Sequence, residues 1–221
     1  MRIAVLGTGS FGSHFGAGLV AAGYDVVHGA RNLQSDSVAK LLERWPGTPV
    51  VPLTEAIQAG DVIIVATAPD SLQDIAAAGD HERHAFAGKV VIDTSNAIDW
   101  SLRPPRMSAT RAQAAVLQEL LPDAKVVKAF NTLRSTHMSN AEFAQGRAIS
   151  FVCGDDEDAR RLVAGIAEDL GFEPVDAGPL SIAFEVEQAA ALWIGISARD
   201  GFGRNTALSL TRRAERTGAS N

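Results

Sequence analysis

The sequence predicts an α/β fold built on a doubly wound parallel sheet, with a small α/β region towards the carboxyl end. Short apolar runs alternate with segments of helical periodicity along the chain. Several of these runs lack polar alternation, which is typical of strands buried on both faces. A glycine-rich turn directly follows the first run, as at the start of many strand–helix–strand units.

The elements follow one another in a regular order. The first strand covers residues 3–6, and the helix after the glycine-rich turn can end at Gly23. Further strands are expected at residues 25–28, 50–51, 61–66, 89–93, 125–129, 149–153 and 173–175. Helices are expected at residues 37–45, 54–58, 71–78, 114–121, 156–170 and 182–199, with a capping box from Thr110 to Gln113, a cap at Ser181 and a Pro- and Arg-rich loop at residues 103–106. We expect a domain of residues 1–130 and a smaller one of residues 131–221.

Composition and charge narrow the class of protein. The 221 residues include 20 Lys and Arg against 26 Asp and Glu, a formal net charge of −6, which argues against broad binding to nucleic acid or to an acidic membrane. The single cysteine, Cys153, excludes an intramolecular disulfide and indicates a reducing compartment. The apolar stretch at residues 189–196 is too short to cross a bilayer, and the opening residues make a poor signal peptide. We expect a cytoplasmic protein with a small-molecule partner.

The glycine-rich turn has the residues of a dinucleotide-binding loop. Residues 7–12 read GTGSFG, directly after a strand and at the start of a helix. Gly7 permits the tight turn, Gly9 lets a pyrophosphate approach the backbone, and Gly12 lets the helix pack on the strand. The free N–H groups of the helix favour an anion. This context favours a Rossmann-type nucleotide site over a glycine turn without a ligand.

The end of the second strand distinguishes two cofactors. A site for NAD has Asp or Glu there, but this chain has Arg31 and Asn32, while Asp25 lies at the opposite end of the strand. A guanidinium can bind a 2′-phosphate with charge-assisted hydrogen bonds. The pattern predicts NADP(H), and the alternative is that Arg31 is a solvated loop arginine.

The segments after the other strands supply further candidates. Small or polar residues follow them, and no Ser–His–Asp set, metal-ligand cluster or general base is evident, as expected where a cofactor performs the chemistry. Asn96 and Asn131 could instead be turn-forming asparagines. His137 has no assigned role. The candidates at these strand ends are Thr67, Ala68 and Pro69 after the strand at residues 61–66, Asn96 after the strand at residues 89–93, and Asn131 and Thr132 after the strand at residues 125–129.

Several motifs resemble those of the NADPH-dependent coenzyme F420 reductase family. The chain is also similar to the cytosolic NADPH domain of the six-transmembrane metalloreductases. The motifs are residues 7–12, GAR at 29–31, VVKAFNT at 126–132, CGDD at 153–156 and DAGPL at 176–180. The resemblance implies that Thr8, Ser10 and Phe11 join the glycines around the phosphates, that Arg31 binds the 2′-phosphate, that Thr67 and Pro69 flank the nicotinamide, and that Asn96 and Asn131 line the acceptor side.

Two differences bear on the acceptor. Archaeal F420 enzymes have His-Thr where this chain has Asn131 and Thr132, and a proline-containing loop in place of residues 93–96. At both places this chain resembles the metalloreductase domain, whose acceptor is a flavin.

These observations predict an oxidoreductase that transfers hydride between NADPH and a deazaflavin (F420) or a flavin (FAD or FMN). Two alternatives stay open: another NADP-dependent dehydrogenase of small substrates, and a non-catalytic NADPH-binding sensor. We also expect a homodimer formed through the last helix, with Leu192, Trp193 and Ile196 at the interface.

Overall fold

A computed structural model of the chain describes residues 1–80, 85–144, 146–199, 201–203, 205–211 and 213. The strands are β1 (Arg2–Leu6), β2 (Asp25–Ala30), β3 (Val50–Pro52), β4 (Val62–Val65), β5 (Val90–Asp93), β6 (Ile98–Asp99), β7 (Arg106–Met107), β8 (Lys125–Ala129), β9 (Ile149–Gly154) and β10 (Glu173–Gly178). The α-helices are α1 (Ser10–Ala21), α2 (Asp36–Arg44), α3 (Leu53–Ala59), α4 (Leu72–Asp80), α5 (Gln113–Leu120), α6 (Glu157–Asp169) and α7 (Ala183–Ser197). Three short 3₁₀ helices cover Pro69–Ser71, Ser135–Ser139 and Leu180–Ile182.

Eight strands form one mostly parallel sheet, which confirms the predicted fold class. Their order is β10-β9-β8-β5-β4-β1-β2-β3, and the strand order reverses at β1, which lies between β2 and β4. The expected parallel arrangement is interrupted once, because β9 runs antiparallel to β8. A parallel neighbour needs a crossover connection, usually helical, whereas the described residues between β8 and β9 form a single short helix, the 3₁₀ helix Ser135–Ser139.

Helices cover both faces of the sheet. Alternate residues of β1 point to opposite faces, so Ala4 and Leu6 belong to one buried cluster and Ile3 and Val5 to the other. The first cluster includes residues of α3, α4, α5 and α7, and the second includes residues of α1 and α6. This double burial explains why the strands are nearly continuous apolar runs.

Two expected helix caps are absent. The α5 helix begins at Gln113 after Ala112, without the predicted capping box from Thr110. A buried carboxylate takes over that role, because the N–H of Gln113 donates to Oε1 of Glu187 at 2.8 Å. Ser181 does not cap α7 either, since it lies inside the 3₁₀ helix that precedes it.

The carboxyl-terminal segment adds to the same sheet. The predicted domain boundary at residue 130 lies just after β8, and β9 and β10 extend the sheet beyond that strand. The Pro- and Arg-rich loop contains the antiparallel pair β6–β7, which sequence analysis did not predict. The division into two domains stays a prediction.

The apolar helical segment near the carboxyl end, Leu180–Ser197, is longer than the stretch at residues 189–196 that sequence analysis considered. Leu180–Ser197 is long and apolar enough to span a bilayer by length and composition alone. Its buried residues include Ala183, Val186 and Glu187. Ala183 and Val186 belong to the core cluster on one face of the sheet. A core helix can meet the same criteria of length and composition as a helix that spans a bilayer.

Candidate functional site

A cavity of about 590 Å³ lies at the carboxyl ends of β1, β2 and β4, beside the point where the strand order reverses. Ligands of open α/β sheets bind at such positions. The residues that line it come from the glycine-rich turn, from the segment after β2 and from the segment after β4, and they include Gly7, Thr8, Gly9, Arg31, Asn32, Ser35, Ser37, Thr67, Ala68, Asp70 and Asp74.

The three glycines of the turn have three different environments. Gly7 has φ +130°, and a Cβ there would lie 2.5 Å from the carbonyl oxygen of Ala66. A Cβ at Gly12 would lie 2.3 Å from the carbonyl oxygen of Gly7, so only glycine fits between helix and turn. A Cβ at Gly9 would meet nothing within 4 Å. Gly9 therefore leaves open space in the cavity, where a ligand can approach the backbone.

The amino terminus of α1 has the features of an anion site. Gly9 is its N-cap residue, no side chain accepts a hydrogen bond from the helix there, and the first turn contains no acidic residue. The first N–H groups of a helix have no partner within it and carry partial positive charge. A phosphate bound above Gly9 would satisfy them.

Three hydroxyl groups form a chain along the cavity wall. The Oγ1 atom of Thr8 lies 2.7 Å from Oγ of Ser37, which lies 3.1 Å from Oγ of Ser35. Sequence analysis selected Thr8 but missed both serines. Their signal was their position a few residues after β2, since hydroxyl groups there can donate to a phosphate.

Arg31 lies in the cavity and is paired. Its Nη1 atom is 2.7 Å from Oδ2 of Asp74, and both side chains are more than half exposed. Asp74 lies in the first turn of α4. Asn32, the next residue after Arg31, accepts a hydrogen bond from the N–H of Gln34 through Oδ1 at 2.9 Å. Sequence analysis did not predict Asp74 or the second acidic residue of the cavity, Asp70.

Some predicted phosphate and nicotinamide residues lie beside the cavity instead of lining it. The Ser10 hydroxyl donates to Oγ of Ser135 at 3.1 Å, while Phe11 packs edge-on against Phe15. Pro69 begins the 3₁₀ helix Pro69–Ser71. Thr67 and Ala68 do line the cavity. These assignments stay predictions.

Asn96 and Asn131 bind each other across the ends of β5 and β8. Nδ2 of Asn96 donates to the carbonyl oxygen of Asn131 at 2.8 Å, and Nδ2 of Asn131 donates to Oδ1 of Asn96 at 3.0 Å. Nδ2 of Asn131 also donates to the carbonyl oxygen of Val186 in α7 at 3.1 Å. The pair thus fixes two loops and a helix together outside the cavity lining.

Buried polar atoms accompany this pair. Within the described part of the chain, Oδ1 of Asn131 and Oγ1 of Thr132 are buried and have no hydrogen-bond partner. The turn begins at Phe130, a non-glycine residue with φ +59° whose ring packs edge-on against Phe15 at 4.8 Å. A left-handed conformation costs such a residue free energy, so the surrounding packing must hold this turn.

His137 is buried away from the cavity lining. Its Nδ1 atom accepts a hydrogen bond from the N–H of Arg134 at 3.3 Å, and its ring packs edge-on against Phe143. Burial, and then the charge of Arg134, lower the pKa of His137. It therefore has the surroundings of a packed, neutral imidazole, and no role is assigned to it.

A buried lysine is the main feature that sequence analysis missed. The Lys128 side chain is fully buried, and Nζ lies 2.8 Å from Oδ2 of Asp93 and 2.8 Å from Oε1 of Glu187. Nζ also donates to the carbonyl oxygen of Ser95. The available signal was a lysine in an apolar strand, because a fully buried lysine needs charged partners.

The expected dimer face on α7 is only partly exposed. Leu192 is 64% exposed, but Trp193 is buried and Nε1 donates to the carbonyl oxygen of Thr206 at 3.1 Å. The Trp193 ring therefore packs inward, and a subunit interface on α7 stays a prediction. The homodimer itself and the cytoplasmic location stay predictions.

No group of three His, Cys, Asp or Glu residues able to hold a metal ion occurs within the described ranges.

Three comparisons place this architecture among known proteins. A family model described as NADP oxidoreductase, coenzyme F420-dependent, matches residues 2–97. The F420-dependent NADP reductase of Methanocaldococcus jannaschii is 26% identical over 215 residues, which cover 90% of this chain and 93% of the relative. The structure of a candidate F420-dependent NADP reductase from Arthrobacter sp. FB24 superposes with a TM-score of 0.84 and 28% identity, over 96% of this chain and 100% of that one.

A second group of relatives is longer. Metalloreductase STEAP3 of Rattus norvegicus is 30% identical over 187 residues, which cover 84% of this chain but 36% of the relative. The chain thus spans little more than a third of the length of this metalloreductase.

The fold is of the Rossmann type, and the described cavity lies within residues 2–97, the part of the chain that matches the family model of NADP oxidoreductases. The chain is similar to coenzyme F420-dependent NADP oxidoreductases.

Proposed function

We propose that this protein is an NADPH-dependent reductase that transfers hydride between NADPH and a tricyclic acceptor, either the deazaflavin F420 or a flavin. One observation carries the proposal: the uncapped amino terminus of α1, the open face of Gly9 and the guanidinium of Arg31 share one cavity. That combination offers backbone donors to a pyrophosphate and a cation to a 2′-phosphate.

The cavity residues would hold the dinucleotide by distinct interactions. The N–H groups at the start of α1 bind the pyrophosphate, while the hydroxyl groups of Thr8, Ser35 and Ser37 offer donors along the wall. Arg31 binds the 2′-phosphate in competition with its ion pair to Asp74. Thr67 and Ala68, which line the cavity at the end of β4, would contact the nicotinamide half of the dinucleotide.

The ends of β5 and β8 would orient the acceptor. Bound NADPH supplies the hydride, and one proton from solvent completes the two-electron reduction of the acceptor ring. Transfer requires the two rings to be held in near-attack geometry, and positioning can supply up to about 7–11 kcal/mol of the barrier in the best intramolecular cases. The rigid Asn96–Asn131 pair suits this positioning role.

The alternative of another NADP-dependent dehydrogenase is less well supported. Such enzymes use a lysine near the substrate, but Lys128 is fully covered and already donates to three oxygen atoms. Among the described residues, those that line the cavity include no lysine and no histidine. The arrangement therefore favours a reaction in which the bound cofactor supplies both electrons and the protein orients the two rings.

Anaerobic mixing of the protein with NADPH and F420, FMN or FAD tests the proposal. We expect loss of reduced-nicotinamide absorbance together with reduction of one acceptor. NADPH binding without turnover of any acceptor would contradict the proposal and favour the non-catalytic sensor.

A further inference from the structure

We infer that Lys128, Asp93 and Glu187 form a positioning cluster that fixes the acceptor-side loops, residues 94–96 and 130–132, independently of the dinucleotide cavity. The inference rests on the proposed function for the identity of the acceptor side. The cluster joins three elements, because Lys128 lies in β8, Asp93 ends the neighbouring strand β5, and Glu187 lies in α7.

The first arm of the cluster holds the peptide that precedes Asn96. Nζ of Lys128 donates to the carbonyl oxygen of Ser95, and Oδ1 of Asp93 accepts from the N–H of the same residue at 3.0 Å. Ser95 is thus held through both its N–H and its carbonyl group. A change in Nζ of Lys128 would be transmitted through one residue to Asn96.

The second arm holds α7 against the other loop. Oε1 of Glu187 lies 2.8 Å from Nζ of Lys128. The same oxygen accepts a hydrogen bond from the N–H of Gln113 at 2.8 Å. The preceding residue, Val186, accepts the hydrogen bond from Nδ2 of Asn131. Two consecutive residues of α7 therefore connect the cluster and the asparagine pair to the same turn of helix.

Burial of these charges favours a positioning role over a purely stabilising one. All three side chains are fully buried, and removing charges from water is costly even when they are paired. Well-packed apolar residues in place of a buried ion pair are often as stabilising. What an apolar set would lack is directional bonding to Ser95 and to the start of α5.

The cluster is separate from the cavity. None of its three residues lines the cavity that contains Gly9 and Arg31. We therefore expect its loss to alter the loops at residues 94–96 and 130–132 without altering NADPH affinity.

Hydrogen exchange of the protein without added ligand tests this inference apart from any activity. Lys128→Met removes the cation of the cluster. If that variant fails to fold, the triple variant Lys128→Met, Asp93→Asn, Glu187→Gln takes its place, because it leaves no charge in the cluster. We expect amides in peptides 94–98 and 130–134 to exchange about tenfold faster, and those in peptides 7–12 and 29–32 to change by less than about twofold. Lys125→Met in the same strand, which breaks a half-exposed pair with Asp156, is the matched control.

Kinetics gives the second measurement. In the same variants we expect kcat/KM for the acceptor to fall roughly ten- to a hundredfold while the Kd for NADPH stays within about twofold. Unchanged exchange at both loops, or equal losses for acceptor and NADPH, would overturn the inference. If the wild-type protein reduces no acceptor, the proposed function fails, while the exchange measurement still decides whether the cluster positions the loops.

Discussion

The guanidinium of Arg31 lies 2.7 Å from the carboxylate of Asp74, and both residues line the cavity at the carboxyl ends of β1, β2 and β4. Arg31 ends up there because it follows β2, and Asp74 because α4 starts after β4. The two groups come from opposite sides of β1, where the strand order reverses. The residue that we expect to select the 2′-phosphate is thus already held by an anion in the protein without ligand.

Replacing Arg31 with alanine should weaken NADPH binding and spare NADH. Loss of charge-assisted hydrogen bonds to the 2′-phosphate should cost about 1–3 kcal/mol of NADPH affinity. Fluorescence titration with both nucleotides measures the effect, and Arg161→Ala, an exposed arginine of α6, is the control. Equal losses for NADPH and NADH would contradict the role of Arg31.

Asp74→Asn should strengthen NADPH binding. The variant removes the anion that competes with the 2′-phosphate for Arg31, and because the pair is exposed the gain should not exceed about 1 kcal/mol. Asp70→Asn, also in the cavity lining, is the matched control, because no ion pair joins Asp70 to Arg31 in the structure. A tightening of NADPH that is equal in both variants would indicate general charge repulsion instead of competition for Arg31.

Gly9→Ala and Gly12→Ala should separate binding from folding. A Cβ at Gly9 enters open space, so that variant should unfold at the wild-type temperature but lose NADPH affinity. A Cβ at Gly12 meets the carbonyl oxygen of Gly7 at 2.3 Å, which should destabilise the fold by about 1–3 kcal/mol. Thermal unfolding and titration of both variants check this. Normal NADPH binding by Gly9→Ala would argue against a phosphate above that residue.

Glu187 should make stability depend on pH. Burial raises the pKa of Glu187 above its ordinary 4.5, against the opposing effect of Lys128, while Asp93 adds to the rise and the N–H of Gln113 opposes it. The folded protein then holds this proton more tightly than the unfolded chain. The contribution to stability is fully present below pH 4.5 and is lost as the pH rises through the raised pKa.

Urea unfolding of the wild type and Glu187→Gln at several pH values measures that contribution. The free energy of unfolding of the wild type minus that of the variant should decrease as the pH rises above 4.5. An increase over that range would show that Glu187 is favoured as a carboxylate.

Cys153 should resist thiol reagents in the folded protein. It is fully buried in β9, and burial raises the pKa of its thiol to about 12, so thiolate is scarce at neutral pH. We expect full labelling by a disulfide reagent only after unfolding, with Cys153→Ser as the blank. Rapid labelling of the native protein at neutral pH would contradict this burial.

Sequence analysis predicted the sheet well because the spacing of apolar residues and the positions of Gly and Pro at the ends of elements are local properties of the chain. Each predicted strand of the main sheet occurs, and the glycine turn follows β1 as expected. The reversal at β9 was missed because strand direction depends on the connection, and residues 130–148 carry no strong helical signal. The start of α5 was misjudged for a similar reason, since its N–H partner, Glu187, lies 74 residues away from Gln113.

The same distinction applies to the site. Gly9 and Arg31 were identifiable from their places after β1 and β2. Asp74 and the cluster around Lys128 were not, because their partners come together only through the order of strands and the packing of α7. A lysine in an apolar strand indicates a buried charge, but its sequence neighbours do not show which carboxylates neutralise it.

Paired calorimetric titrations of the wild-type protein with NADPH and with NADH test the central claim most directly. The cavity that joins the start of α1 to Arg31 predicts saturable binding of NADPH, with an affinity about tenfold or more above that of NADH. Equal affinity for both nucleotides, or binding of neither, would contradict it.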